Sequence, residues 1–259
     1  MPTRWQPFVR ALEDRSSVRW KNHPFMLKWL AVVPPRMVTQ LSDDVWWLDL
    51  GGVNCYLADD DGDLTLVDAG TPFDSGDIMR EVRDAGYSIN DVDRVLITHY
   101  DFDHVGALAR LPLQAPIYVG EADAPLVTGA DAPDWHNHKG AVQRVAGALL
   151  SRPDTEVHPV ADGDEIGSFT AYATPGHSPG HLAYVSESLS TAFLGDLVFE
   201  DHGKLTASAW AMSYDTEAVH DSILSLQSRA PDFEIAAMGH GVPFYRDGSD
   251  RLTELAESL

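Results

Sequence analysis

The stretch Thr98-His99-Tyr100-Asp101-Phe102-Asp103-His104-Val105-Gly106 places two histidines and two aspartates within six residues. It follows Val95-Leu96-Ile97, an apolar run that reads as a short buried strand. Four side chains able to hold a cation at the end of one strand are hard to explain as packing. Burying a carboxylate costs several kcal/mol unless it is paired or bound to a cation. The cluster therefore calls for a metal, and for two if more donors arrive from elsewhere in the chain.

Working outward, further donors follow strands in the same way. Thr174-Pro175-Gly176-His177-Ser178-Pro179-Gly180-His181 follows a strand expected over 169–173. Gly195-Asp196 ends one over 190–194, and Met238-Gly239-His240-Gly241 follows one over 234–238. Glycines beside these donors let the backbone turn sharply and bring side chains together at one sheet edge. Upstream, 53–57 and 64–67 read as strands joined by an Asp/Gly turn, the second ending in Asp68-Ala69-Gly70. Helices are expected over about 74–85 (capped by Asp74 or Ser75), 104–111, 121–128, 138–151, 215–229 and 249–258. Strands are expected at 116–119, 156–160, 165–167 and 182–186. Pattern alone reaches one α/β or α+β domain.

Composition narrows the classes. The chain of 259 residues is 44% hydrophobic with seven tryptophans, which is globular. No apolar run approaches the roughly 18–20 residues of a membrane span, and no secretory signal is recognisable. A single cysteine, Cys55, excludes an intramolecular disulfide framework and fits a reducing cytosol, so a cytoplasmic protein is expected. Forty acidic residues face eighteen basic ones for a net charge of −22. That charge repels nucleic-acid phosphates and anionic membranes, so neither is an expected partner. Twenty-nine of the acids are aspartate and only four of the basic residues are lysine, a bias that resembles cytosolic proteins of salt-in halophiles. Residues 1–34 run against the trend, with six basic and two acidic side chains. Trp5, Phe8, Val9 and Leu12 there have amphipathic-helix spacing. Residues 1–36 read as a basic arm, folded onto the acidic domain 37–259 or forming a homodimer contact or a lid.

From about 45 to 245 the sequence resembles the metallo-β-lactamase superfamily. The resemblance runs through Asn54-Cys55-Tyr56-Leu57, Asp68-Ala69-Gly70, the cluster at 98–106, the Pro-Gly-His-Ser-Pro-Gly-His element, Gly195-Asp196 and Gly239-His240-Gly241, in family order. It implies an α+β fold, a four-layer αββα sandwich, and a dinuclear metallohydrolase with its metals between the two sheets. Carried over residue by residue, His99, Asp101 and His177 hold one ion, Asp103, His104 and His240 the other, and Asp196 bridges both. In that mechanism a bridging hydroxide attacks the substrate, two cations lower its pKa to about 7, and Asp103 serves as the catalytic carboxylate. Asp68 and His181 are expected to support the ligands, and Phe199 stands at a substrate-facing position three residues after Asp196.

One position departs from the family pattern. The usual motif is His-x-His-x-Asp-His, and its second histidine is Asp101 here. With aspartate at 101, two dications, three carboxylates and a hydroxide form a neutral core; a histidine would leave one positive charge. The aspartate thus weakens Lewis acidity and favours harder ions such as Mn²⁺ or Fe²⁺ relative to Zn²⁺. Zinc remains the first expectation, because most of the other donors are imidazoles and Zn²⁺ accepts aspartate. His136 and His138 read as a surface loop, with substrate contact as the sharper alternative.

Within the family the resemblance narrows the reaction. Only nineteen residues follow His240, so the glutathione-binding extension of glyoxalase II is not expected. Phe199 replaces the tyrosine that assists acyl-homoserine lactonases. What remains is a hydrolase of a small ester, thioester or lactone. The alternative is a mononuclear-iron oxidoreductase of the same fold, like the persulfide dioxygenases.

Overall fold

Alternation along Asn54–Asp60 sets the layering. Cys55 and Leu57 join one buried apolar cluster, with Leu66, Val95, Ile97, Ile78 and Val82. Tyr56 and Ala58 join another, with Phe169, Tyr184, Phe193 and Ile235. Successive strand side chains leave opposite faces, so a strand buried on both must lie between two apolar layers. The computed structural model describes residues 38–259. The basic arm, its expected helix and any dimer contact through it lie outside these residues.

The first sheet holds seven strands in chain order: β1 (Val38–Gln40), β2 (Val45–Asp49), β3 (Asn54–Asp60), β4 (Asp63–Val67), β5 (Val92–Ile97), β6 (Ile117–Gly120) and β7 (Val157–Val160). β1 to β4 pair antiparallel and β4 to β7 parallel. Helix α1 (Ser75–Asp84) connects β4 to β5, while α2 (Ala124–Thr128) and α3 (His138–Gly147) lie between β6 and β7. Ile78 and Val82 of α1, and Ala124 and Val127 of α2, cover the outer face of this sheet.

The second sheet comprises β8 (Glu165–Ile166), β9 (Phe169–Ala173), β10 (Leu182–Ser186), β11 (Thr191–Gly195) and β14 (Ile235–Met238), with β14 parallel to β11 at one edge. Between β11 and β14 come a hairpin, β12 (Val198–Asp201) with β13 (Lys204–Ala207), and helix α4 (Thr216–Arg229). Helix α5 (Gly248–Ala256) closes the chain. Val219, Ile223 and Leu226 of α4 and Leu252 and Leu255 of α5 pack on Ala183, Val185, Ala192 and Leu194, the outer face of the second sheet. Helix, sheet, sheet, helix: this is the anticipated four-layer αββα sandwich, with five helices among the described residues. None of them is long and apolar enough to cross a membrane.

The expected helix 104–111 is absent. Residues 104–107 instead lie against the 69–70 turn, with Ala69 N to His104 O at 2.7 Å, Gly106 N to Gly70 O at 2.8 Å and Ala107 N to Ala69 O at 3.0 Å. Only a 3₁₀ turn at Leu108–Arg110 remains helical. Local alanine and leucine propensity lost to backbone pairing with a distant turn. Asp74 heads α1 without capping it through its side chain, because its Oδ2 takes Thr71 N at 2.9 Å and Thr71 Oγ1 at 2.6 Å. Strand β2 escaped the pattern reading because Trp46 and Trp47 are both buried, facing different layers, so no polar residue marks the alternation.

The C-terminal ends of β4, β5, β9, β11 and β14 meet at one edge of the sandwich. Asn54 pins that edge. Its Nδ2 donates to Met238 O at 2.9 Å and Gly241 O at 2.8 Å, and its backbone N–H to Gly239 O at 2.8 Å. Tyr56 Oη donates to Met238 O at 2.7 Å. Two residues of the first sheet thereby fix the loop that carries His240.

Candidate metal centre

The loop after β5 delivers His99, Asp101, Asp103 and His104, and those after β9, β11 and β14 deliver His177, Asp196 and His240. His177 Nε2 lies 3.1 Å from both His99 Nε2 and Asp101 Oδ2, and the third edge of that triangle is 3.2 Å. Three donor atoms at such spacing match one face of a tetrahedral ion with bonds of about 2 Å. Asp103, His104 and His240 form a second group, with one donor atom each within 4.8 Å of one another; His99, His177 and Asp196 meet the same criterion. Asp196 faces both groups. Its Oδ2 is 3.6 Å from His177 Nε2 and 3.3 Å from His240 Nε2, and its Oδ1 is 3.4 Å from His104 Nε2.

All seven donors anticipated from sequence thus converge, and the chemistry of the set suits divalent cations. His104 Nε2 and Asp196 Oδ1 are buried and make no hydrogen bond among the described residues. They face each other at 3.4 Å without hydrogen-bond geometry, an arrangement that a cation between them would satisfy better. Gly239 keeps the space open, since a Cβ there would strike the Asp196 carboxylate and the His104 ring. Gly195 turns the chain at φ 50°, and a Cβ would meet Thr98 Cβ at 2.7 Å.

Each imidazole turns Nε2 inward because its Nδ1 is held from behind. Asp68 accepts from Thr98 N at 2.9 Å, from Thr98 Oγ1 at 2.8 Å and from His104 Nδ1 at 2.9 Å. The Thr98 hydroxyl, having donated to Asp68, accepts from His99 Nδ1 at 3.0 Å. Ser208 Oγ stands 3.0 Å from His177 Nδ1, and His240 Nδ1 donates to Gly52 O at 2.6 Å. His181 has both nitrogens occupied within the protein. Its Nε2 accepts from Asp196 N at 3.1 Å and its Nδ1 meets Thr174 Oγ1 at 2.8 Å.

The electrostatics divide the histidines. Burial, reinforced by neighbouring imidazoles, holds His99 and His181 well below the usual histidine range. Burial and Lys139 lower His177. His104 and His240 go the other way. Burial opposes their charged form, but Asp196 and Asp68 outweigh it at His104, and Asp196 and Asp103 raise His240 to about 9. Burial likewise opposes ionisation of Asp196, and the imidazoles of His240 and His104 overcome it to hold the carboxyl well below the usual range.

Asp101 has partners that sequence reasoning missed. Lys139 Nζ lies 2.9 Å from its Oδ2 and also donates to His177 O at 2.8 Å. Gln143 Nε2 donates to Asp101 Oδ1 at 2.8 Å and to Tyr100 O at 2.6 Å, and Tyr214 Oη donates to Gln143 Oε1 at 2.5 Å. The i, i+4 spacing puts Lys139 and Gln143 on one face of α3, and the Asn137 side chain caps that helix at Lys139 N and Gly140 N. Burial would raise the Asp101 carboxyl; Lys139, His177 and His99 together hold it well below its ordinary value. A signal was present in the sequence: Lys139 is one of four lysines in the chain.

The remaining expected positions scatter. The Phe199 ring stacks on His240 with centroids 5.7 Å apart, walling the second half of the centre. His136 is exposed and paired with Asp134. His138 stacks on Trp210 and meets its carbonyl at 2.9 Å. Asp123, also unforeseen, accepts from Tyr100 N at 2.8 Å, Ser178 Oγ at 2.8 Å and Gly180 N at 3.0 Å, tying the loop after β5 to the loop after β9. Burial raises its carboxyl to about 6 against those hydrogen bonds.

Comparison with known proteins finds a family model described as metallo-beta-lactamase superfamily matching residues 48–240. The chain is 27% identical over 219 residues to the probable metallo-hydrolase YflN of Bacillus subtilis strain 168, covering 76% of this chain and 82% of that one. It is 28% identical over 163 residues to a hydroxyacylglutathione hydrolase of Bradyrhizobium sp. strain BTAi1, covering 62% of this chain and 52% of the other. Among solved structures, TTHA1623 in a di-iron-bound form aligns with a TM-score of 0.61 at 28% identity, covering 81% of this chain and 96% of that one.

Proposed function

The chain belongs to the metallo-β-lactamase superfamily, and from that premise we propose that it is a dinuclear metallohydrolase acting on a small ester, thioester or lactone. The observation that carries this reading is Asp196, whose Oδ2 lies 3.6 Å from His177 Nε2 and 3.3 Å from His240 Nε2 and whose Oδ1 lies 3.4 Å from the buried His104 Nε2. A carboxylate so placed suits two neighbouring cations. His99, Asp101 and His177 would hold one ion, and Asp103, His104 and His240 the other, with Asp196 shared. Divalent ions held there would supply Lewis acidity to polarise a carbonyl and to acidify water.

The protein's own groups do the rest. Asp68, Thr98, Ser208 and Gly52 fix the imidazole tautomers, and His181 holds the Asp196 backbone. Asp103, with a side chain 26% exposed and Oδ2 3.5 Å from His240 Nε2, is placed to take the proton released by the attacking water and pass it to the leaving group. Phe199 offers an apolar wall and no hydroxyl, so this side chain cannot polarise a lactone carbonyl. Zinc is the first metal of this reading, favoured by four imidazoles among seven donors. The carboxylate at 101 and the di-iron form of the related TTHA1623 make iron the next, ahead of manganese. The thioester option has the hydroxyacylglutathione hydrolase as a relative.

The test is elemental analysis of the purified protein with a screen of model esters, thioesters and lactones. The screen is run in low and in molar salt, as the aspartate-rich composition recommends. Two metals per chain and hydrolysis of one of these classes are expected. One iron per chain, with oxygen consumption on thiol substrates, would replace this reading with the mononuclear oxidoreductase.

A further inference from the structure

We propose that Lys139 is the built-in countercharge of Asp101, so that the lysine and the aspartate together take the place, in charge, of one neutral histidine among the metal donors. The inference rests on the metal-centre reading above and deepens it. Lys139 Nζ is 2.9 Å from Asp101 Oδ2, the same oxygen that lies 3.1 Å from His177 Nε2 and 3.2 Å from His99 Nε2. That oxygen can therefore serve an ion with one lone pair and the ammonium with the other. The second oxygen, Oδ1, is occupied by Gln143. Lys139 is not a substrate-binding arm: its side chain is 7% exposed and its ammonium is already spent on Asp101 and on His177 O.

The pair changes the charge count of the centre. With aspartate at 101 and no lysine, the core carries one positive charge fewer than with histidine. Lys139 restores that charge within hydrogen-bond distance of the ligand, where the low dielectric leaves it poorly screened. Asp101 is then a departure from the family's donor pattern that leaves the charge felt by the ions unchanged. Lys139 is a positioning residue. It acts through Asp101, and Gln143 with Tyr214 fixes the other side of the same carboxylate.

A double-mutant cycle tests this. Wild type, Asp101→His, Lys139→Met, Asp101→His/Lys139→Met and Lys139→Arg are stripped of metal, and thermal melts establish that each is folded. Zn²⁺ affinity is then measured by competition with a chromophoric chelator, and the visible absorption of Co²⁺-loaded protein reports the coordination. Lys139→Met is expected to bind most tightly, since it leaves a carboxylate without its cation. Wild type, the double variant and Lys139→Arg should agree within about threefold. Asp101→His alone should be weakest, about 10–100-fold below the double variant, the range that partners of metal ligands command. Rescue of Asp101→His by a second substitution 38 residues away is something a merely structural lysine would not give. If Lys139→Met fails to fold, the contrast between weak Asp101→His and unchanged Lys139→Arg decides. Asp101→His binding as tightly with lysine at 139 as with methionine would overturn the proposal. Equal uptake of two ions by all five proteins would overturn it while leaving the metal centre standing. Uptake by none would overturn both.

Discussion

The two halves of the centre share one loop yet differ in almost everything around them. In the His99/Asp101/His177 half, both imidazoles are fully buried, and α3 backs the carboxylate with Lys139 and Gln143. In the Asp103/His104/His240 half, Asp103 and His240 keep 26% and 21% of their side chains exposed. No lysine or arginine pairs with Asp103 among the described residues. Both halves hold two imidazoles and a carboxylate, so donor identity alone cannot account for the difference. Burial and the groups behind each side chain leave one half closed, with a cation against its carboxylate, and the other more exposed.

Four substitutions probe that contrast, beginning with the one that erases it. Asp196→Ala removes the carboxylate both halves share. It is expected to cost on the order of 10³-fold in kcat/KM, with metal content by elemental analysis falling in both halves together. Retention of one full equivalent would show that the halves load independently. Asp68→Asn strikes the open half first, because Asp68 takes His104 Nδ1 directly and reaches His99 of the closed half only through the Thr98 hydroxyl. Asparagine tolerates the left-handed φ of 59° there. About a 10–100-fold loss of affinity for one ion of two is expected in a chelator titration, and equal weakening of both would break the division.

Ser208→Ala addresses the closed half through His177 Nδ1. Since Lys139 and Gln143 still anchor that half, the loss should be smaller, about threefold to tenfold in affinity for the other ion. The mildest change is Phe199→Tyr, which adds a hydroxyl beside His240 at the open mouth. Lactone turnover should rise about threefold, near 0.7 kcal/mol, with metal content unchanged. A fall in metal content would move Phe199 from the substrate wall to the support of His240.

Much of this site is legible in the sequence. His99, Asp101, Asp103, His104, His177, Asp196 and His240 sit in short glycine-flanked motifs just after apolar strands. A period of two with a turn after it is a local signal. The segment 104–111 departs from its local signal: the pattern favours a helix, while residues 104–107 hydrogen-bond to Ala69 and Gly70. The supports were less visible. Ser208, Gly52, Thr174 and Gln143 carry no motif, because a hydroxyl or carbonyl that holds one imidazole can come from any loop the fold brings near. Lys139 adjoins His136 and His138 in the chain, and nothing in that spacing distinguishes the lysine that reaches Asp101.

The sequence by itself determined the donor types, their order along the chain, and the alternation that makes two sheets with three apolar layers. Those follow from side-chain chemistry and from periods of a few residues. Only the tertiary structure decided that a cation stands against Asp101. Asp101 read alone predicts a core poorer by one positive charge, and Lys139 returns it across 2.9 Å. Coulomb energy depends on distance in space and on the water excluded between the charges, and neither is written in the spacing of residues along the chain.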